Sequence, residues 1–170
     1  MSARTRVHRI YLPGSAFIDN RLKKLVPFVG DITDTFTSYF TATWQMYFPF
    51  LTCEVKYGTA ALDTTDRQNA HSMTIAVKGH VELFKFLNHQ KELHREILAF
   101  SISQDHQTMR IYGHYSIIVG NKTIFYRHPI REFSFTELDG KEKWAAYKFT
   151  KNAYDIWMPA LIIHNRKSGR

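Results

Sequence analysis

The chain has 170 residues, 44% of them hydrophobic and 22% charged, which is enough for one buried core and excludes wholesale disorder. Lys and Arg exceed Asp and Glu to give a net charge of +8. The excess lies at the two ends, since residues 1–30 and 141–170 each carry +5 around a middle of −2. Basic ends favour a polyanionic partner such as nucleic acid, and solvated tails are the alternative.

The single cysteine, Cys53, excludes an internal disulfide, and no apolar run near the start resembles a signal peptide. We therefore expect an intracellular protein, nuclear or cytosolic. The arginines of residues 1–9 leave a mitochondrial presequence open as an alternative. Residues 35–53 carry no charge, but Phe40, Ala42, Trp44 and Met46 alternate with polar residues, which indicates a strand and not a membrane span.

The first half of the chain predicts a helix and strands in turn. Ile10 to Leu12 form a short strand, and a helix capped by Ser15 ends at Pro27. After the alternating strand, Pro49 breaks or bends the chain before a second strand, Phe50 to Lys56.

The second half begins with a long helix, because apolar residues recur at steps of three and four from Ala70 to Leu87. Strands then follow at 97–102, 109–118 and 123–126, with a hairpin at Gly120-Asn121. A last helix carries an aromatic stripe and ends at Pro159. This order predicts one mixed α/β domain over residues 15–159, between a basic N-terminal arm (1–14) and a basic C-terminal tail (160–170).

The segment from Phe50 to Lys56 is the best candidate for chemistry. Side chains two apart on a strand share a face, so Glu54 and Lys56 project together while Cys53 points into the opposite layer. A carboxylate beside an ammonium can hold a divalent cation and orient an attacking water. The alternative is a surface salt bridge on the wet face of the sheet.

Other residue types offer less. The nine histidines lack the spacing of a zinc motif, and Cys53 on a core-facing layer behaves as a small hydrophobe. His71 lies one helical turn after Gln68 and can face the same cleft as Glu54. Tyr112 and Tyr115 are expected to pack on the sheet, with stacking on unpaired bases as the alternative.

Four stretches of the chain carry a resemblance to a known family. They are Phe48 to Lys56, Asp66 to Ser72, Arg110 to Tyr115 and Lys148 to Asn152. Together they resemble an uncharacterised domain widespread in filamentous fungi, over Ser15 to Pro159. That domain is in turn similar to the PD-(D/E)XK nucleases, which implies a restriction-endonuclease-like mixed central sheet flanked by helices.

The resemblance also implies roles for individual residues. Glu54 would match a metal ligand and Lys56 the catalytic lysine, while Gln68 resembles a glutamine that some branches carry on the following helix. The implied cofactor is Mg²⁺ or Mn²⁺. Where the fungal domain has a Pro-Asp pair, this chain has Arg6 and Val7, so one metal-binding aspartate is missing; Asp34, or Asp31, is the candidate to replace it.

We therefore expect a metal-dependent nuclease-like domain that hydrolyses phosphodiester bonds in DNA, impaired by the missing aspartate. The alternative is an inactive, nuclease-derived module that binds nucleic acid or protein. A third reading is an interaction protein in which Glu54 and Lys56 form only a salt bridge. The residues expected to contact the nucleic acid are Arg4, Arg6, Arg9, Arg67 and His71.

Overall fold

The computed structural model describes residues 5–13, 41–43, 46–56 and 62–161. The predicted helix that starts at Ser15, together with Arg4, Asp31 and Asp34, lies outside these residues. In chain order the elements are β1 (Thr5–Pro13), β2 (Thr41–Thr43), β3 (Met46–Lys56), α1 (Leu62–Phe86), β4 (Ile97–Gln104), β5 (Thr108–Val119), β6 (Lys122–Ser134) and α2 (Ala145–Asn152). The fold is mixed α/β, as the sequence predicts.

One sheet organises the described residues. Its strand order is β1-β3-β4-β5-β6, with the short β2 pairing with β3. β3 and β4 are parallel and the other pairs are antiparallel. The parallel pair requires a crossover, and the 25-residue helix α1 supplies it.

The two faces of the sheet are covered differently. α1 packs on one face through a buried stripe that includes Met73, Val77 and Val81. On the other face the segment around α2 brings aromatic rings against Phe100, with ring centroids 5.2 Å away at Phe149 and 4.8 Å away at Trp157. The core therefore forms two layers, one on each side of β3 and β4.

Three strands differ from the sequence prediction in length or continuity. β1 starts at Thr5, so residues 5–13 belong to the sheet, where the sequence predicts a basic arm (1–14) with only a short strand at Ile10 to Leu12. Of the two outcomes predicted at Pro49, the bend is observed and the break is not. β3 continues through a bulge opposite Tyr11, and Phe48 before it has a φ of 51°. β6 also runs through a proline, Pro129, because an edge strand with a bulge tolerates the missing N–H.

The predicted end of the last helix is also wrong. A π-helical turn, Ala153–Trp157, follows α2, and helical conformation continues past Pro159 to Leu161. Proline lacks the N–H that an interior helical position donates, and the π turn just before it already interrupts the regular bonding pattern.

Candidate functional site

Glu54 and Lys56 lie where β3 faces α1, and both are buried, at 3% and 8% exposure. The prediction that they share a face is confirmed by their burial on alternate positions, with Cys53 and Val55 only half-buried on the other side. The alternative of a surface pair on a wet face is wrong, because α1 covers this side of the sheet. A buried carboxylate and a buried ammonium are costly to desolvate, so their position requires a polar surrounding.

Glu54 pairs with one residue on each of the two strands that flank β3. Val7 of β1 stands opposite Glu54, and Ser103 of β4 pairs with it on the other side. Val7 occupies the position at which the nuclease resemblance requires an aspartate, and its residue type offers no ligand oxygen. These register partners offer one carboxylate and one hydroxyl. Mg²⁺ is usually held by one or two carboxylates together with waters and substrate phosphates, so this set is at the lower limit of what the ion uses.

Among the side chains that the structure describes, no three of His, Cys, Asp or Glu gather in a group that could hold a metal ion. The predicted ligand Asp34 lies outside the described residues.

Asn69, and not Gln68, connects α1 to the sheet beside Glu54. Its amide oxygen accepts a hydrogen bond of 2.7 Å from the Thr52 hydroxyl. Its Nδ2 donates to the carbonyl oxygen of Ile102 at 3.0 Å and to the Ser103 hydroxyl at 2.9 Å. Gln68, by contrast, is exposed. The helix therefore presents a different amide to the sheet from the one that the resemblance implied.

Asp66, one turn before Asn69, is the centre of a second polar cluster, which the sequence prediction missed. Arg110 Nη1 and the Tyr112 hydroxyl each donate to Asp66 Oδ2 at 3.0 Å. The same Arg110 also donates to Asp63 Oδ1 at 3.0 Å, and its Nε lies 3.2 Å from Glu132 Oε1. Burial alone would lower the pKa of Arg110, but these carboxylates outweigh burial and raise the pKa above its ordinary value.

Two further residues extend this cluster along β5 and β6. Arg127 Nη1 donates to the backbone oxygen of Asp66 at 3.2 Å, and its guanidinium lies 4.6 Å from the centroid of the Tyr112 ring. His114, opposite Arg127 in the register, shares a hydrogen bond of 2.8 Å between its Nε2 and the Ser101 hydroxyl. Burial, with the charge of Arg127, lowers the pKa of His114 to about 4, so the ring is neutral at pH 7.

A sequence signal for this cluster exists in hindsight. Polar residues alternate along β5 at Arg110, Tyr112, His114 and Ser116, which is the period of one strand face. A polar strand face that is covered by a helix must find partners for its hydrogen-bonding groups. The alternation therefore indicates a network beneath α1.

The residues predicted to contact nucleic acid fall into three groups. Arg67 and His71 are exposed on α1, and Arg67 Nη2 donates to the Thr64 hydroxyl at 3.4 Å. Arg6 and Arg9 belong to β1, where their backbones pair opposite Val55 and Thr52. Arg4 lies outside the described residues.

Cys53 lines a pocket of about 230 Å³ on the side of the sheet away from Glu54, together with Leu51, Ile102 and residues of α2. Burial, and then the Glu54 carboxylate, raise the pKa of its thiol to about 11. The thiol is therefore protonated at neutral pH, which agrees with the prediction of a small hydrophobe.

Comparison with known proteins gives one match. The model of a family described as a domain of unknown function, DUF7924, matches residues 12–164. The chain belongs to this family. No curated protein and no solved structure matches this DUF7924 domain. No described helix of the domain is long and apolar enough to cross a membrane.

Proposed function

We propose that this DUF7924 domain is a nuclease-like module of the PD-(D/E)XK type that binds DNA and whose cleavage is impaired. The observation that carries the proposal is the register at the centre of the sheet. Glu54 and Lys56 share the helix-covered face of β3, a crossover helix and a parallel strand follow, and Val7 stands opposite Glu54. This is the Glu-x-Lys strand of the resemblance with its aspartate replaced.

Charge supports binding in preference to an inert scaffold. The chain carries +8, with the excess at its two ends, and the cation Arg67 is exposed on α1, the helix that covers Glu54, with the polar His71 one turn further along. Cations on one surface neutralise phosphates and release counterions, which makes the affinity fall steeply with salt.

The test is a binding titration together with a cleavage assay on plasmid and single-stranded DNA, each with Mg²⁺ or Mn²⁺. We expect salt-sensitive binding and no metal-dependent cleavage by wild type or by Glu54→Gln, whose amide is nearly isosteric. Circular dichroism of both proteins controls for folding. Absence of DNA binding by folded wild type at 50 mM salt would refute the proposal.

The second candidate is the active enzyme, a metal-dependent phosphodiesterase that cuts DNA. It is favoured by the retention of a carboxylate and an ammonium at buried positions, which a scaffold could replace with apolar residues at little cost. Asp34 would then supply the ligand that Val7 lacks. Cleavage that is lost in Glu54→Gln and in Asp34→Asn or Asp31→Asn, and kept in the control Glu96→Gln at an exposed position, would establish this candidate in place of the first.

A further inference from the structure

The arginines of β5 and β6 differ in whether a carboxylate neutralises them. Arg110 contacts Asp63, Asp66 and Glu132, and Arg131 pairs with Glu142. Arg127 has no carboxylate oxygen within 4.0 Å among the described residues, although it lies on the same strand as Arg131. Its positive charge is therefore available to an anion from outside the chain.

Arg127 is nevertheless held in place, by partners that carry no charge. Its guanidinium lies over the Tyr112 ring, and one N–H donates to the backbone oxygen of Asp66. The Tyr112 ring is held in turn by its hydroxyl bond to Asp66 Oδ2. A guanidinium that is ordered before binding loses less side-chain entropy when it contacts an anion.

We infer that Arg127 is a phosphate-binding residue for a nucleic-acid strand that passes over the α1 side of β6. The planar fork of a guanidinium matches two phosphate oxygens, and N–H groups beyond the one that bonds Asp66 remain to donate. Arg67 follows Asp66 in the chain and is exposed, so a second cation lies beside the backbone group that Arg127 contacts. The inference rests on the proposed DNA binding and names a residue that carries it.

The first test compares Arg127→Gln with the matched control Lys122→Gln. Both remove one positive charge from an exposed residue of β6, but alternation places Lys122 on the other face. Anisotropy of labelled single-stranded and duplex 20-mers is measured from 50 to 200 mM salt. We expect Arg127→Gln to weaken binding about tenfold and to reduce the salt slope by about 0.9 for duplex or 0.7 for single strands, with Lys122→Gln within about twofold of wild type.

A second pair of variants keeps the test valid if Arg127→Gln folds poorly. Tyr112→Leu removes the ring under Arg127 and leaves every formal charge in place, whereas Tyr112→Phe removes only the hydroxyl. We expect the leucine variant to weaken binding more than the phenylalanine variant, and to add little in the Arg127→Gln background because both changes disturb one contact.

The outcomes separate this inference from the proposed function. If wild type does not bind DNA, both are overturned. If wild type binds and the Arg127 and Lys122 variants weaken binding equally, only the role of Arg127 is overturned. If Arg127→Gln weakens the binding of poly-glutamate about tenfold and leaves the affinity for DNA within about twofold of wild type, the residue recognises acidic peptide, and the assignment to nucleic acid is wrong.

Discussion

Asn69 is the residue whose replacement tests the described site most directly. It is fully buried and makes three hydrogen bonds, to Thr52, Ile102 and Ser103. Asn69→Ala leaves these three partners without Asn69, and a buried polar group left unpaired costs about 1–3 kcal/mol. Because alanine favours helix by about 0.5 kcal/mol over asparagine, we expect a net loss of about 3 kcal/mol.

The assay is urea unfolding monitored by circular dichroism, with Gln68→Ala as the control. Gln68 is the next residue along α1 and is exposed, so its replacement is expected to change the free energy of unfolding by less than about 0.5 kcal/mol. Asn69→Asp adds a directional test, because a carboxylate can accept from Thr52 but cannot donate to the Ile102 carbonyl. A loss below about 1 kcal/mol for Asn69→Ala, or an equal loss at Gln68, would refute the assignment of Asn69 as the connection between α1 and the sheet.

Two further predictions concern titrating groups. The pKa of His114 falls from 6.5 to about 4 on folding, so the unfolded chain binds more protons than the folded protein between these pH values. The free energy of unfolding should therefore drop by up to about 3 kcal/mol as the pH falls through this window. Urea unfolding at a series of pH values measures the drop, and we expect His114→Gln to lessen it. Because its pKa is raised, Cys53 has about a hundredfold less thiolate at neutral pH than an ordinary thiol. We therefore expect iodoacetamide to alkylate Cys53 in the native protein at least a hundredfold more slowly than in the urea-unfolded chain. Comparable rates would contradict the description of Cys53 as a protonated, half-buried thiol.

The elements that could be predicted from the sequence are those with a regular spacing of apolar residues, which arises when one face of a helix or strand is buried against a neighbouring layer, and those marked by a turn residue. α1 was found from apolar residues at steps of three and four, and the hairpin at Gly120 was found because a glycine can adopt the positive φ of 57° observed there. The strand predicted at 123–126 is shorter than β6, because most residues of β6 are exposed and show little alternation of burial. The continuation of its pairing with β5 beyond Tyr126 comes from tertiary contact, which propensity does not encode.

At this site the orientation of α1 about its own axis decides which of two neighbouring amide side chains faces the sheet. Gln68 and Asn69 differ by about 100° around α1, and only the position of the buried stripe tells which of them faces the sheet. Asn69 lies four residues before Met73, and Met73 lies four before Val77, so the spacing that predicted the helix also predicts Asn69 on its buried face. The family resemblance pointed to Gln68 instead, and the apolar spacing was the better guide.

The buried polar residues on the side of the sheet that faces α1 indicate that this face does more than pack against the helix. Thr52, Glu54, Ser101 and Ser103 lie on adjacent parallel strands and are all at most 3% exposed, where valine or isoleucine would fill the same space without needing partners. A sheet that only had to pack against α1 would gain stability from those apolar residues. The chain instead bonds three of these four residues, Thr52, Ser103 and Ser101, to Asn69 and His114, and such hydrogen bonds restrict the sheet and helix to one relative position. The same restriction fixes the position of Asp66 on α1, and the backbone oxygen of Asp66 in turn accepts a hydrogen bond from Arg127, the residue that the binding experiments test.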